Sequence, residues 1–167
     1  AYLGINSHRL EFSTMIKILF VCHGNICRSP MAEFIMKDLV AKRGVADKFY
    51  IESCATSREE IGNSVYPPAK AKLAQHNISC AGKRARQITK KDYKEFDYII
   101  AMDRNNLRNL VPFVGEDAQN KVTLMMSYAG KNKDVADPWY TGDFEATWQD
   151  LSLACNALLE QLLVSQA

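Results

Sequence analysis

The chain has 167 residues, 47% hydrophobic and 24% charged, with 21 basic against 19 acidic side chains. These proportions fit one globular domain, and a net charge of +2 is too small to argue for a nucleic-acid or anionic-membrane partner. The longest apolar run, around Ile18–Cys22, falls far short of the roughly 18 residues that span a bilayer.

The opening 1–14 stretch is polar and lacks the apolar core of a signal peptide, then meets Met15 just before a strand-like run. It is read as an added leader, with 15–167 as a single domain. Ile16–Cys22 is apolar and β-rich, as expected of a strand buried on both faces. Ser29-Pro30 reads as a helix N-cap followed by Pro at the first helical position. Ala32, Ile35, Met36, Leu39 and Val40 keep helical spacing until Gly44 supplies a stop. Phe49–Ala55 reads as a second strand, and Pro67-Pro68 opens a helix to about Gln75. Thr89–Asp92 resembles a capping box for a short helix to Glu95. Tyr98–Met102 is a third strand, after which Asp103 caps a helix expected to end at Pro112. Lys121–Met126 is a fourth strand, followed by a polar loop to Asp143. The last helix carries Phe144, Thr147, Trp148, Leu151, Cys155, Leu158, Leu159 and Leu162 on one stripe. Strands separated by helices imply an α/β domain with a parallel sheet, whose site lies at the carboxyl ends of the strands.

Three loops leave those ends with chemistry-bearing residues. The first reads Val21-Cys22-His23-Gly24-Asn25-Ile26-Cys27-Arg28-Ser29-Pro30. Amides of a tight loop and a helix N-terminus converge into an anion nest, with Gly24 permitting the backbone turn. Arg28 suits bidentate binding of two phosphate oxygens, and the same positive surroundings favour Cys22 as a thiolate nucleophile. Ser29 is placed to hydrogen-bond the sulfur. Displacing an alkoxide or phenolate needs a proton donor opposite the nucleophile, and Asp137, stiffened by Pro138, lies in the loop after the fourth strand. A zinc site is not supported, because Cys22 and Cys27 have no second ligand pair at suitable spacing, and no metal or other cofactor is expected. No Walker-type phosphate loop is present.

The Val21–Pro30 stretch resembles the signature of the low-molecular-weight protein tyrosine phosphatases, V-C-x-G-N-x-C-R-S-P. Further similar segments are Ser53–Ser57, Ile61–Asn63, Ala85–Ile88, Phe96–Ile99, Met102-Asp103 and Asp137–Tyr140. The resemblance implies a three-layer sandwich with a four-stranded parallel sheet in order 2-1-3-4, flanked by helices on both faces. It implies metal-independent hydrolysis of phosphotyrosine through a phosphocysteine, with Cys22, Arg28 and Asp137 catalytic. His23, Gly24, Asn25, Ile26, Cys27 and Ser29 then complete the phosphate-binding loop, which phosphate or sulfate is expected to fill. Trp139, Tyr140 and Glu59 form the pocket wall. The expected partner is a phosphotyrosine protein or small aryl phosphate, and the expected state a monomer.

The resemblance also makes Asn25 a residue that holds the loop in shape. Asp103 matches a supporting acid near the site and reads equally well as a helix cap. Isoleucine at Ile26 is usual in tyrosine-directed relatives, whereas arginine-specific ones carry threonine. His23 occupies a variable position, readable as a substrate contact or a solvent-facing residue. Cys27 is readable as a reversible disulfide partner of Cys22 or as a small buried loop residue. Two departures stand out. Lys83 occupies a position often held by histidine, so the network around the loop must differ or use Lys83. Glu59 replaces a common aromatic, which weakens stacking and favours basic residues around the phosphosite, with Arg58 able to offset it.

The odd number of cysteines (Cys22, Cys27, Cys54, Cys80, Cys155) argues for a reducing compartment, here the cytoplasm, rather than a secreted disulfide scaffold. A thioredoxin-coupled arsenate reductase on the same fold is the alternative enzyme, but it needs a further redox cysteine pair where only Cys80 lies. A non-catalytic phosphate-binding module is the third reading, and it would need neither Cys22 nor Asp137.

Overall fold

A computed structural model describes residues 15–166, so the expected leader lies outside the described residues. Strand β1 (Ile16–Cys22) pairs in parallel with β2 (Phe49–Ala55) on one side and β3 (Tyr98–Ala101) on the other. Strand β4 (Val122–Leu124) adds to β3, giving the order β2-β1-β3-β4. The side chains of β1 alternate between two cores, as the period of two in a strand requires. Ile16, Ile18, Phe20 and Cys22 face one, whereas Leu19 and Val21 face the other.

The first core is closed by helix α1 (Arg28–Lys42), helix α2 (Pro67–Gln75) and the long C-terminal helix Phe144–Gln166. The second is closed by α3 (Lys90–Glu95) and α4 (Arg104–Val114), with Phe96 and Leu110 fully buried between them and the sheet. The result is the expected three-layer α/β sandwich. None of the described helices is long and apolar enough to cross a membrane.

Four local expectations are corrected. Helix α1 begins at Arg28, not at Ser29-Pro30, and Cys27 in the N-cap position makes no side-chain cap. Ser29 and Pro30 sit inside the first turn, because the chain must start coiling earlier to aim its free N–H groups into the preceding loop. Pro112 does not end α4. It lies within the last turn, where it forgoes the N–H bond to the Arg108 carbonyl without breaking the helix, which stops at Gly115, whose φ of +62° places it in the left-handed region. Strand β4 is shorter than Lys121–Met126. The chain leaves the ladder into a 3₁₀ turn, Met125–Ala129, that drives both Met125 and Met126 into the core beneath the C-terminal helix. The polar loop to Asp143 also contains a short helix, α5 (Pro138–Thr141), leaving the C-terminal helix as α6.

On α6 the buried stripe comprises Thr147, Leu151, Ala154, Cys155, Leu158, Leu159 and Leu162. This face covers the sheet side that carries Cys22. Truncating Leu158 to Ala is expected to destabilise the protein by about 2–5 kcal/mol. Urea unfolding should show a lower midpoint with an unchanged slope.

Candidate active site

Strand β1 ends at Cys22, and the next residues wrap around its sulfur. The Asn25 backbone N–H donates to Cys22 Sγ at 3.3 Å, and Ser29 Oγ lies 3.0 Å from the same sulfur. The turn's left-handed residue is Asn25, with φ of +60°, rather than Gly24. Asparagine tolerates this region better than most side chains. Gly24 serves a different need: a Cβ there would stand 3.3 Å from Glu60 Cγ, so its lack of a side chain makes room for the neighbouring loop.

The Asn25 side chain ties this strained turn to three segments. Its amide donates to Ser29 Oγ at 2.8 Å and to Ser53 Oγ at 2.9 Å, and its carbonyl accepts the Arg86 N–H at 3.2 Å. Ser53 in turn donates to the buried carboxylate of Glu33 at 2.6 Å. Lys37 and Lys83 neutralise Glu33 at 2.6 and 3.2 Å, and Lys83 also donates to the Ser53 carbonyl at 2.8 Å. These bonds have a direction. Glu33 takes the Ser53 proton, so Ser53 must accept from Asn25. Ser29 likewise accepts from Asn25, leaving its own proton for Cys22 Sγ or, at 3.3 Å, for the Cys54 carbonyl.

Arg28 opens α1 and is almost wholly buried. Its Nη1 donates to Asp103 Oδ2 at 2.6 Å and to the Val135 carbonyl at 2.9 Å, while Nη2 reaches Asp137 Oδ2 at 3.4 Å. Among the described residues, Nε–H and one Nη2–H have no acceptor, which leaves one edge of the guanidinium available for a bidentate oxyanion. Burial works against the Arg28 charge, but the Cys22 sulfur and the carboxylates of Asp103 and Asp137 outweigh it and hold the guanidinium above the ordinary arginine range. Asp103 fulfils both expectations, since its other oxygen caps α4 through the Asn106 N–H at 2.7 Å. Asp137 caps α5 through the Trp139 N–H at 3.1 Å, so its carboxylate faces the Arg28 end of the loop.

A cavity of about 130 Å³ opens over these groups, bringing together Cys22, Arg28 and Asp137 with loop residues His23, Gly24, Ile26 and Cys27. Its walls are Trp139 and Tyr140 on one loop and Glu59 and Glu60 on another. Trp139 is anchored by Tyr66, with ring centroids 4.8 Å apart. Tyr140 is 84% exposed at the mouth.

The family model for low molecular weight phosphotyrosine protein phosphatases matches residues 17–166. The chain belongs to this family. The low molecular weight phosphotyrosine protein phosphatase of Sus scrofa is 44% identical over 151 residues, covering 87% of this chain and 94% of its own. The low molecular weight protein-tyrosine-phosphatase YfkJ of Bacillus subtilis is 40% identical over 150 residues, covering 89% and 96%. The crystal structure of YfkJ superposes with a TM-score of 0.88 at 39% identity, covering 92% of this chain and 98% of that one.

Two departures from the family pattern now have a physical account. Lys83 enters the phosphate-loop network directly, through Glu33 and the Ser53 carbonyl. Glu59 pairs with His23, Oε2 to Nε2 at 3.0 Å, so the acid and the variable loop residue meet at the rim. Arg58 is exposed and stands outside the cavity lining. Sequence reasoning missed Glu33, Glu60 and the Val135 carbonyl. Glu33 left one trace, an acid set among the apolar positions of α1.

The cysteines also separate. All five are free and buried. Burial pushes the Cys27 thiol up to about 12, helped by Cys22 and Asp137 and opposed by Arg28. Burial likewise raises the thiols of Cys54 and Cys155. At pH 7 Cys27 is therefore held as the neutral thiol. Brief treatment with iodoacetamide at that pH should carboxamidomethylate Cys22 well before Cys27, as read by peptide mass mapping. Replacing Asn25 with Ala should cost about 2–4 kcal/mol, from lost hydrogen bonds and the left-handed backbone together. Chemical denaturation measures that loss, and weaker phosphate binding should accompany it.

Proposed function

We propose that this protein hydrolyses phosphotyrosine and related aryl phosphomonoesters in two steps, with Cys22 as nucleophile and Asp137 as general acid and base. The observation that carries this reading is the convergence of three groups on one cavity. They are a sulfur hydrogen-bonded by Asn25 N–H and Ser29, a guanidinium with a free edge, and a carboxylate from an opposing loop.

In the first step the Cys22 thiolate attacks phosphorus, the P–O bond to the aryl group breaks, and protonated Asp137 gives its proton to the leaving oxygen. Arg28 and the amides of His23–Ser29 bind the equatorial oxygens of the transferring phosphoryl group. In the second step the Asp137 carboxylate takes a proton from water as its oxygen attacks phosphorus. The S–P bond breaks, inorganic phosphate leaves, and the Ser29 hydroxyl stabilises the returning thiolate. Trp139 stacks on the aryl ring. Ile26 supports tyrosine over arginine as the phosphorylated residue. The reading extends to residues 15–167 acting as one monomeric domain in the cytoplasm, in keeping with five free thiols and the family match over residues 17–166.

The test is hydrolysis of p-nitrophenyl phosphate and a phosphotyrosine peptide in EDTA. Wild type should be active, and Cys22→Ser should lose at least about 10³-fold in kcat. Asp137→Asn should lose about 10²–10⁴-fold, more with poorer leaving groups. Undiminished turnover by Cys22→Ser would sink the mechanism. Arsenate reduction coupled to thioredoxin, without phosphate release, would move the protein to the other chemistry of this fold.

A further inference from the structure

The mouth of the cavity is electrostatically lopsided. Its floor is cationic, built from Arg28 and the loop amides, and one wall is aromatic. The other wall carries two carboxylates, Glu59 and Glu60, in a pocket whose proposed substrate is a phosphate dianion. Neither carboxylate is neutralised there by a permanent cation. Glu59 Oε2 meets only His23 Nε2, on side chains 69% and 47% exposed, and Glu59 Oε1 has no partner among the described residues. Glu60 Oε2 accepts from the Asn63 amide at 2.6 Å, a neutral donor that fixes its place without cancelling its charge. The Gly24 backbone lies against the Glu60 stem, so this wall sits directly beside the phosphate loop.

A phosphate entering alone must pass two like charges. A phosphate delivered on a chain that also carries a cation meets the opposite situation. An extended peptide advances about 3.3–3.6 Å per residue, so a lysine or arginine beside the phosphotyrosine can reach a wall that flanks the pocket. We infer that Glu59 and Glu60 are specificity-determining residues that make this phosphatase select phosphotyrosines flanked by a lysine or arginine. The inference rests on the phosphotyrosine hydrolysis proposed above. His23 holds the Glu59 side chain at the rim, and one Glu59 oxygen stays available to the incoming ammonium or guanidinium. Both acids are open to solvent, so each contributes a modest factor of about two to five rather than an absolute requirement.

The experiment compares kcat/KM for three phosphotyrosine peptides identical except for lysine, alanine or glutamate next to the phosphotyrosine. At low salt the lysine peptide should exceed the glutamate peptide by about 5–20-fold, and the gap should narrow in 0.5 M NaCl, where the Debye length falls to roughly 4 Å. Because each protein is its own reference, changes in overall activity cancel from the ratio. The double variant Glu59→Gln/Glu60→Gln should bring the ratio close to one, and Glu59→Lys should lower or reverse it. A wild-type ratio near one at low salt, or a ratio unchanged in the double variant, overturns the inference while leaving the phosphatase reading intact. Failure to hydrolyse any of the peptides or p-nitrophenyl phosphate overturns both readings together.

Discussion

The phosphate loop is held by a single asparagine side chain. Asn25 adopts a left-handed backbone that no helix or strand would enforce, and its amide repays that strain by joining the loop to α1, β2 and the segment before α3. Everything else about the site follows from this fixed turn. The amides point inward, the Cys22 sulfur is met by Ser29 and by the Asn25 N–H, and α1 begins early enough to place Arg28 at the cavity floor. The polarity of the network is set at its far end, where two lysines pair with the buried carboxylate of Glu33. A buried carboxylate without them would be costly, and one with them is a strong acceptor that orients each donor behind it.

Charge in the site is divided by depth. Arg28 is bound to Asp103, to Val135 and, more loosely, to Asp137, so the guanidinium is rigid before any anion arrives. Such preorganisation means little has to move as negative charge builds on the transferring group. Toward solvent the balance changes sign, with Glu59 and Glu60 facing Trp139 across the mouth. A net charge of +2 for the whole chain conceals this arrangement, since it counts neither the loop amides nor the segregation of carboxylates.

Much of this was legible in the residues alone. The bounds of β1, β2 and α2 agree with the apolar run, the β-rich stretch and the Pro67-Pro68 start, because in each case local propensity and burial point the same way. The α1 start was misread because Ser29-Pro30 imitates a helix cap, while the loop needs the serine hydroxyl at the sulfur instead. The early end of β4 was hidden because two adjacent methionines look like strand residues, and only packing against α6 turns them both inward. Glu33 could not be assigned, since its meaning depends on Lys83 and Ser53, both remote in sequence. The family resemblance indicated that something must replace a histidine at Lys83, and the geometry supplies what that lysine does.

The parallel register has a consequence for how the protein matures. Cys22 pairs with Ala55 at the sheet edge, Met102 donates its N–H to Val21, and Arg28 is completed by Asp103 and Asp137, which follow it by 75 and 109 residues. No fragment shorter than residues 22 to 137 therefore contains the site. Contacts at such separations are slow to form, because their loop-closure entropy is incurred before they gain anything in return. A nascent chain carrying the entire Cys22–Arg28 loop would still lack the groups that anchor its arginine. The nucleophile is thus assembled only with the last third of the polypeptide, which keeps partly folded chains from acquiring a finished catalytic centre.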